Sequence, residues 1–300
     1  MQEYKYKSFN LNILSSIHLP ELMPGNGAEP DVRIRYGKVP ERLKNVISED
    51  VWYQVTQKEL LFNLENIGKF HVANGKDVII EPDSSASKEL VRIFLLGSVM
   101  GGLLFQRGIL PLHGSAIQVG DEAVVFVGES GVGKSTLAAA FHQRGYRMLC
   151  DDISAIELNE NDLPSVFPAF PQLKLWEDSV KQLENLPERF RRIRDEQEKY
   201  CYLLHDQFHN SSLRLKKVYE LTPSKKPEIK IEMLSGMDKI NSLLLNTYRF
   251  EYLDRTGFKY SHFNTCHEIA ARIPVSKIYR PDNRFLLDEM FHLLEINLGV

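Results

Sequence analysis

The sequence predicts an α/β protein: a P-loop core with a mostly parallel or mixed sheet, plus a small β-rich N-terminal domain. Three observations predict it. Residues 122–144 read as strand, glycine-rich loop and helix in direct succession. A second apolar strand follows and ends in two adjacent aspartates, Asp151 and Asp152. The first 85 residues instead show short alternating runs broken by turn residues, the pattern of half-buried strands. The predicted division is therefore 1–85 and 86–300.

Composition sets the outer bounds. The chain has 300 residues, with 37 Lys and Arg against 40 Asp and Glu and a net charge of −3. No global field recruits nucleic acid or an anionic membrane. Cys150, Cys201 and Cys266 lie far apart without a C-x-x-C pair, so they read as reduced thiols of a cytoplasmic protein. MQEYKYKSFN lacks the apolar stretch of a signal peptide.

Taken in order, alternation marks strands near Tyr4–Phe9, Val32–Tyr36, Val51–Val55, Leu60–Leu64, Lys69–Val72 and Val78–Ile80. Asn74-Gly75 between two such runs predicts a tight hairpin. This segment reads as a sheet packed on the main domain, or alternatively as a docking module that offers a sheet edge to a peptide. Ser87 is a helix N-cap candidate. The apolar run Ile93–Phe105 is thirteen residues long, short of the roughly 20 that a membrane span needs, so it reads as a buried helix. Its Gly97, Gly101 and Gly102 imply close packing against another element. Leu110–Ser115 reads as a bend before a strand at Ala116–Val119.

Glu122–Val127 is a β-branched run, and Gly128-Glu129-Ser130-Gly131-Val132-Gly133-Lys134-Ser135 fits G-x-x-x-x-G-K-[ST] throughout. The glycines let successive backbone N–H groups point inward at an anion, and the following helix adds its positive end. Positions 128 to 136, through Thr136, form the nucleotide cradle. Lys134 would reach the β/γ-phosphates of ATP, and the Ser135 hydroxyl would help hold Mg²⁺. The helix Thr136–Arg144 closes at Gly145, where a left-handed residue is wanted.

Arg147–Cys150 reads as a core strand that delivers Asp151 and Asp152 to the carboxyl edge, where ligands of parallel sheets bind. Adjacent residues on an extended chain point to opposite sides. One of the two acids can therefore serve the Mg²⁺ shell while the other addresses a nucleophile. Beyond them, 160–176 reads as an irregular loop with a short strand, and 177–200 as a charged, solvated helix whose Arg189–Arg194 cluster could instead meet an acidic peptide or the nucleotide. Strands follow at Lys217–Leu221, Ile229–Met233 and Pro274–Tyr279. Helices follow at 235–253, Phe263–Ile273 and 284–297. Arg249 and Arg280 are candidates for phosphate or adenine contacts, or for structural ion pairs.

These residues resemble a known family. His113-Gly114, the loop Gly128–Ser135 and Asp151-Asp152 occur in the order and spacing of the catalytic core of HPr kinase/phosphorylase: His113 lies 21 residues before Lys134, and Asp152 lies 18 after it. The wording LPLHGSA, VVFVGESGVGKSTLAAAF and RGYRMLCDDISAI is more similar still to HPr-kinase-like serine kinases. Some of these tailor ribosomal precursor peptides such as lasso peptides. The resemblance covers roughly 88–295. It implies that Asp152 is the general base toward a substrate hydroxyl, that Asp151 and His113 support it and the phosphoryl group, that Lys134 stabilises the transferred charge, and that Ser135 binds Mg²⁺. It thus implies an ATP- and Mg²⁺-dependent kinase for a serine of a peptide or protein. Thr136 stands where the bifunctional enzymes carry Glu, and KLWEDSVKQL replaces their glycine-rich signature. Both departures set phosphorylase activity, hexameric assembly and HPr as substrate apart from the expectation. Whether several copies assemble stays open.

Two other readings remain beside it: a kinase for free serine or another small hydroxyl metabolite, and a nucleotide-binding regulator without transfer chemistry. A base at position 152 argues against the regulator. The missing Asn-Lys-x-Asp argues against a GTPase switch, and the lack of an apolar strand ending in Asp-Glu argues against a transporter ATPase.

Overall fold

Alternating apolar residues fold the N-terminal part of the chain into one nine-stranded sheet. In the computed structural model, which describes residues 2–183, 191–194, 197–204, 207–253, 258–282, 284 and 286–300, its strands are β1 (Tyr4–Ser8), β2 (Leu11–Ser15), β3 (Met23–Pro24), β4 (Val32–Tyr36), β5 (Ser48–Asp50), β6 (Tyr53–Val55), β7 (Glu59–Leu64), β8 (Gly68–Ala73) and β9 (Asp77–Pro82). Their order is β3-β1-β2-β4-β9-β8-β7-β6-β5. Asn74 and Gly75 both adopt positive φ, 56° and 61°, and Lys76 N–H donates to Ala73 O at 3.0 Å. This is the primed hairpin turn that the dipeptide predicts.

Ser87 caps the next helix by accepting from Leu90 N–H at 3.1 Å. The helix runs through α1 (Lys88–Phe94), a π-helical stretch (Leu95–Val99) and α2 (Met100–Gln106). By length and composition its 19 residues could cross a membrane, yet 67% of its most apolar window is buried inside the protein. It is a core helix that touches the N-terminal sheet: a methyl on Gly102 would fall 2.5 Å from Leu60 Cδ1.

The second sheet contains β10 (Leu110–Val119), β11 (Glu122–Gly128), β12 (Met148–Cys150), β13 (Ile153–Leu158), β14 (Pro164–Phe167), β18 (Leu213–Ser224), β19 (Lys230–Met233) and β20 (Val275–Pro281). A third, of three strands, joins β15 (Gln172–Trp176), β16 (Arg191–Arg194) and β17 (Gln197–Leu203). The helices that follow the loop are α3 (Lys134–Gln143), α4 (Glu177–Gln182), α5 (Gly236–Leu245), α6 (Phe258–Arg272) and α7 (Leu287–Leu298). The second sheet is mixed. Strand β11 runs parallel to β18, and β18 parallel to β20, while β10 is antiparallel to β11, β12 and β13. Because β14 also pairs with β18, the strands β10, β11, β18, β14 and β13 close into a ring.

Four expectations are corrected here. Leu110–Ser115 is no bend: β10 is continuous from Leu110, so His113 stands on a strand. Residues 160–176 hold two strands, because backbone pairing with β13 and β17 outweighs the prolines. Among the described residues of 177–200, helix is confined to α4, and β16 and β17 are strands. Arg189 lies outside the described residues. The strand before the acids pairs antiparallel with β10, so the acids do not sit at the end of a parallel strand.

One apolar cluster runs from Phe9, in the turn between β1 and β2, and Phe70 of the first sheet through Leu103 of the helix to Val125 and Ile153 of the second. A second cluster lies on the other face, where Leu137 and Phe141 of α3 meet Phe291 and Leu294 of α7. Each such fully buried side chain stabilises by roughly 1.5–3 kcal/mol. Strand β11 is thus clamped from both faces, and its last residue opens the loop.

Candidate active site

The loop's shape follows from its glycines. Gly128, Gly131 and Gly133 all have positive φ (142°, 83° and 103°), conformations that a side chain would strain. Gly128 also sits where a methyl would fall 2.6 Å from Leu221 O, so only glycine lets β11 approach β18 this closely. Val132 turns inward and is buried among the α3 side chains, and its carbonyl accepts from Arg280 Nε at 2.9 Å. Lys134 starts α3, is 6% exposed, and donates to Gly128 O and Glu129 O, each at 2.8 Å. Thr136 Oγ1 and Ser179 Oγ lie 2.8 Å apart and tie α3 to α4.

The two acids sit where β12 ends and β13 begins, both strands pairing with β10. Asp152 takes φ 76°, a left-handed backbone that costs a residue with Cβ on the order of 1 kcal/mol or more. That kink sends the two carboxylates apart. Asp151, 5% exposed, accepts at Oδ1 from the hydroxyls of Ser115 (2.6 Å) and Ser135 (2.8 Å), and at Oδ2 from Lys174 N–H (2.8 Å). Asp152 accepts at Oδ2 from Lys174 Nζ (2.9 Å), while its Oδ1 lies 3.7 Å from His113 Nε2. Burial alone would push the Lys174 ammonium down, but the Asp152 carboxylate outweighs it and holds the group above its ordinary value. Burial, and then Asp152, push the neighbouring Tyr248 phenol up to about 12.

Most of these groups line one cleft. Its walls carry Ser130, Gly131, Gly133, Lys134, Ser135 and Thr136 from the loop, His113, Asp151 and Asp152 from the sheet, and Lys174, Leu175, Trp176 and Ser179 opposite. Gly128 and Val132 form the foundation beneath, and Glu129 contributes its carbonyl to Lys134. Side-by-side carboxylate and hydroxyl oxygens, as on Asp151 and Ser135, suit a hard cation that keeps phosphate oxygens and water as its other ligands. Among the described residues there is no group of three or more His, Cys, Asp or Glu side chains that could hold a metal ion.

No family model matches the chain, and no curated protein does. Among solved structures it is similar to the HPr(Ser) kinase/phosphatase from Coxiella burnetii, at 16% identity over 62% of this chain and 98% of that one, with a TM-score of 0.32.

Sequence reasoning missed Lys174 and Ser115. Lys174 stands between Leu173 and Leu175, both buried, and a lone charge in an alternating strand reads as a solvent-facing residue. Only the approach of β15 to α3 turns that face onto the acids. Arg249 and Arg280 do not line the cleft. Arg280 braces the loop from below, and the Arg249 guanidinium lies 5.7 Å from the Trp52 and Tyr248 rings and pairs with Glu251.

Proposed function

We propose that this chain is an ATP-dependent kinase that transfers the γ-phosphoryl group to a serine hydroxyl of a peptide or protein. One observation carries the reading: two adjacent carboxylates are divided between the loop serine and the open side of the same cleft. Asp151 faces Ser135. Asp152 faces the space that an acceptor would enter.

Loop amides and the start of α3 would cradle the triphosphate, with Lys134 exchanging its carbonyl partners for β/γ-phosphate oxygens. Ser135 and Asp151 would hold Mg²⁺, which when bound neutralises charge on the phosphate oxygens. Asp152 would accept the proton of the serine hydroxyl as its oxygen bonds to the γ-phosphorus and the bond to the β-phosphate oxygen breaks, releasing ADP. Lys174 holds the Asp152 carboxylate in place. Phosphoryl transfer asks more for placement and charge neutralisation than for base strength, and Lys174 supplies both. Trp176, 43% exposed at the rim, leaves the flank open. A site built to enclose a small metabolite buries most of its ligand, so the open flank favours a serine carried on a chain.

The test is transfer from γ-labelled ATP with Mg²⁺ to serine peptides, to the precursor peptides encoded beside the gene, and to free L-serine. Labelled peptide supports the reading. Labelled free serine alone replaces the acceptor class, and ATP binding without transfer to any acceptor leaves a nucleotide-binding regulator.

A further inference from the structure

The helix Lys88–Gln106 departs from α geometry over Leu95–Val99, and π-helical turns of this kind are frequent where a protein places a functional group. Here the turn places glycines. A methyl on Gly101 would fall 2.8 Å from Tyr248 Cδ1, and one on Gly97 would fall 3.1 Å from the Tyr248 hydroxyl. The phenol therefore lies in a notch that only residues without side chains leave open.

Its backbone is fixed as closely. Tyr248 N–H donates to Pro111 O at 2.8 Å, and His113 N–H donates to Asn246 O at 2.7 Å. Thr247 forms an isolated antiparallel bridge with Leu112, so 246–248 runs alongside the strand that carries His113. The Tyr248 ring meets the His113 ring edge to face at 5.9 Å. The Arg249 guanidinium lies 5.7 Å from the centre of the Tyr248 ring, and the phenol also lies in the field of Asp152 and Lys174. One buried side chain thus touches the imidazole that flanks the acid, lies within the electrostatic reach of the acid itself, and is seated by a helix remote from the phosphate loop.

We propose that Tyr248 is a positioning residue for His113 and Asp152, and that the Gly97/Gly101 notch of the π-interrupted helix sets its hydroxyl. The proposal rests on the kinase reading for its kinetic consequence only. Two variants isolate the hydroxyl. Tyr248→Phe keeps the ring and removes the oxygen. Gly97→Ala keeps the oxygen and displaces it, since among the described residues outside its own helix that hydroxyl is what the new methyl meets within 4 Å.

With a serine peptide and ATP, each single variant should lose about tenfold or more in kcat, with KM for ATP within about twofold and the melting temperature near the parent value. The double variant should match Tyr248→Phe, because the methyl then has no hydroxyl to displace. Unchanged kcat in folded Tyr248→Phe protein, or losses that simply add, would overturn the proposal. If the parent protein transfers no phosphate, the kinase reading fails separately and His113 is read directly by NMR. Its imidazole proton resonances should move with Gly97→Ala, and should not move further when that change is added to Tyr248→Phe. Absence of movement in Gly97→Ala overturns the positioning role.

Discussion

Asp151 and Asp152 are neighbours in sequence with separate partners, and the left-handed backbone of Asp152 is the cause. Replacing it with Asn tests the base without disturbing that backbone, because Asn tolerates the left-handed region well. Asp152→Asn is expected to abolish transfer while ATP binding, measured by calorimetry on folded protein, stays near the parent value. Full turnover would remove the base from position 152. Lys174→Met keeps the length of the side chain and removes the charge that pins Asp152. Its kcat should fall by on the order of 10-fold to 10²-fold, the scale of losing one charged contact near the transferring group. A parent-like kcat would reduce Lys174 to a structural ion pair. Lys134→Ala should cost on the order of 10²-fold or more in ATP turnover; unchanged kinetics would take the loop out of the mechanism. At this scale the loop was legible in the sequence, since glycine spacing dictates backbone shape locally. Lys174 and Tyr248 were not, because strand β15 and segment 246–248 reach the acids only through long-range packing.

Elements were legible where local chemistry alone decides them. Asn74-Gly75 forces the hairpin, Ser87 starts the long helix, and Gly145 with φ 92° ends α3. They were misread where a partner strand decides, as in Leu110–Ser115, whose extended form is fixed by pairing of Leu110–His113 with β13 and of Gly114 and Ser115 with β11. Helix α6 shows how one element supports the 246–248 segment. His262 on α6 lies 3.0 Å from Thr247 Oγ1, and since Thr247 also donates to Leu243 O, the imidazole Nε2–H is the donor between them. Burial pushes the His262 imidazole down to about 4. The unfolded chain, near 6.5, therefore binds the proton first. Stability is full above about pH 6.5 and is lost as pH falls toward about 4, by about 3 kcal/mol from this group. His262→Phe, which keeps aromatic contact with Phe105 and Phe250, should flatten the fall in melting temperature across that window. A variant as acid-sensitive as the parent would assign the loss to other groups.

At the scale of the whole molecule, the question is whether the N-terminal sheet is an appendage or part of the scaffold. Polar contacts join it to the rest: Phe9 N–H donates to Pro168 O at 2.8 Å, Ser8 Oγ to Ala169 O at 2.9 Å, and Tyr53 Oη to Glu251 O at 3.1 Å. Arg92 of α1 pairs with Glu21 at 2.7 Å, both largely buried. Apolar contacts are the heavier contribution. Phe9 meets Phe170 edge to face, Trp52 and Phe62 pack on Tyr252, and Leu60 fills the gap beside Gly102. Removing residues 1–85 would expose the apolar face of the long helix and unseat the 3-10 turn Phe250–Leu253 just after Arg249. Each large side chain uncovered forfeits roughly 1.5–3 kcal/mol, against a total stability of only about 5–15 kcal/mol for an ordinary domain. A few such losses exceed what the remainder can spare. The full chain should therefore melt in one calorimetric transition, with equal calorimetric and van't Hoff enthalpies. Residues 86–300 alone should be recovered aggregated or without a cooperative transition. Two resolved transitions, or a truncated chain that melts cooperatively and binds ATP, would show that the second sheet stands without the first.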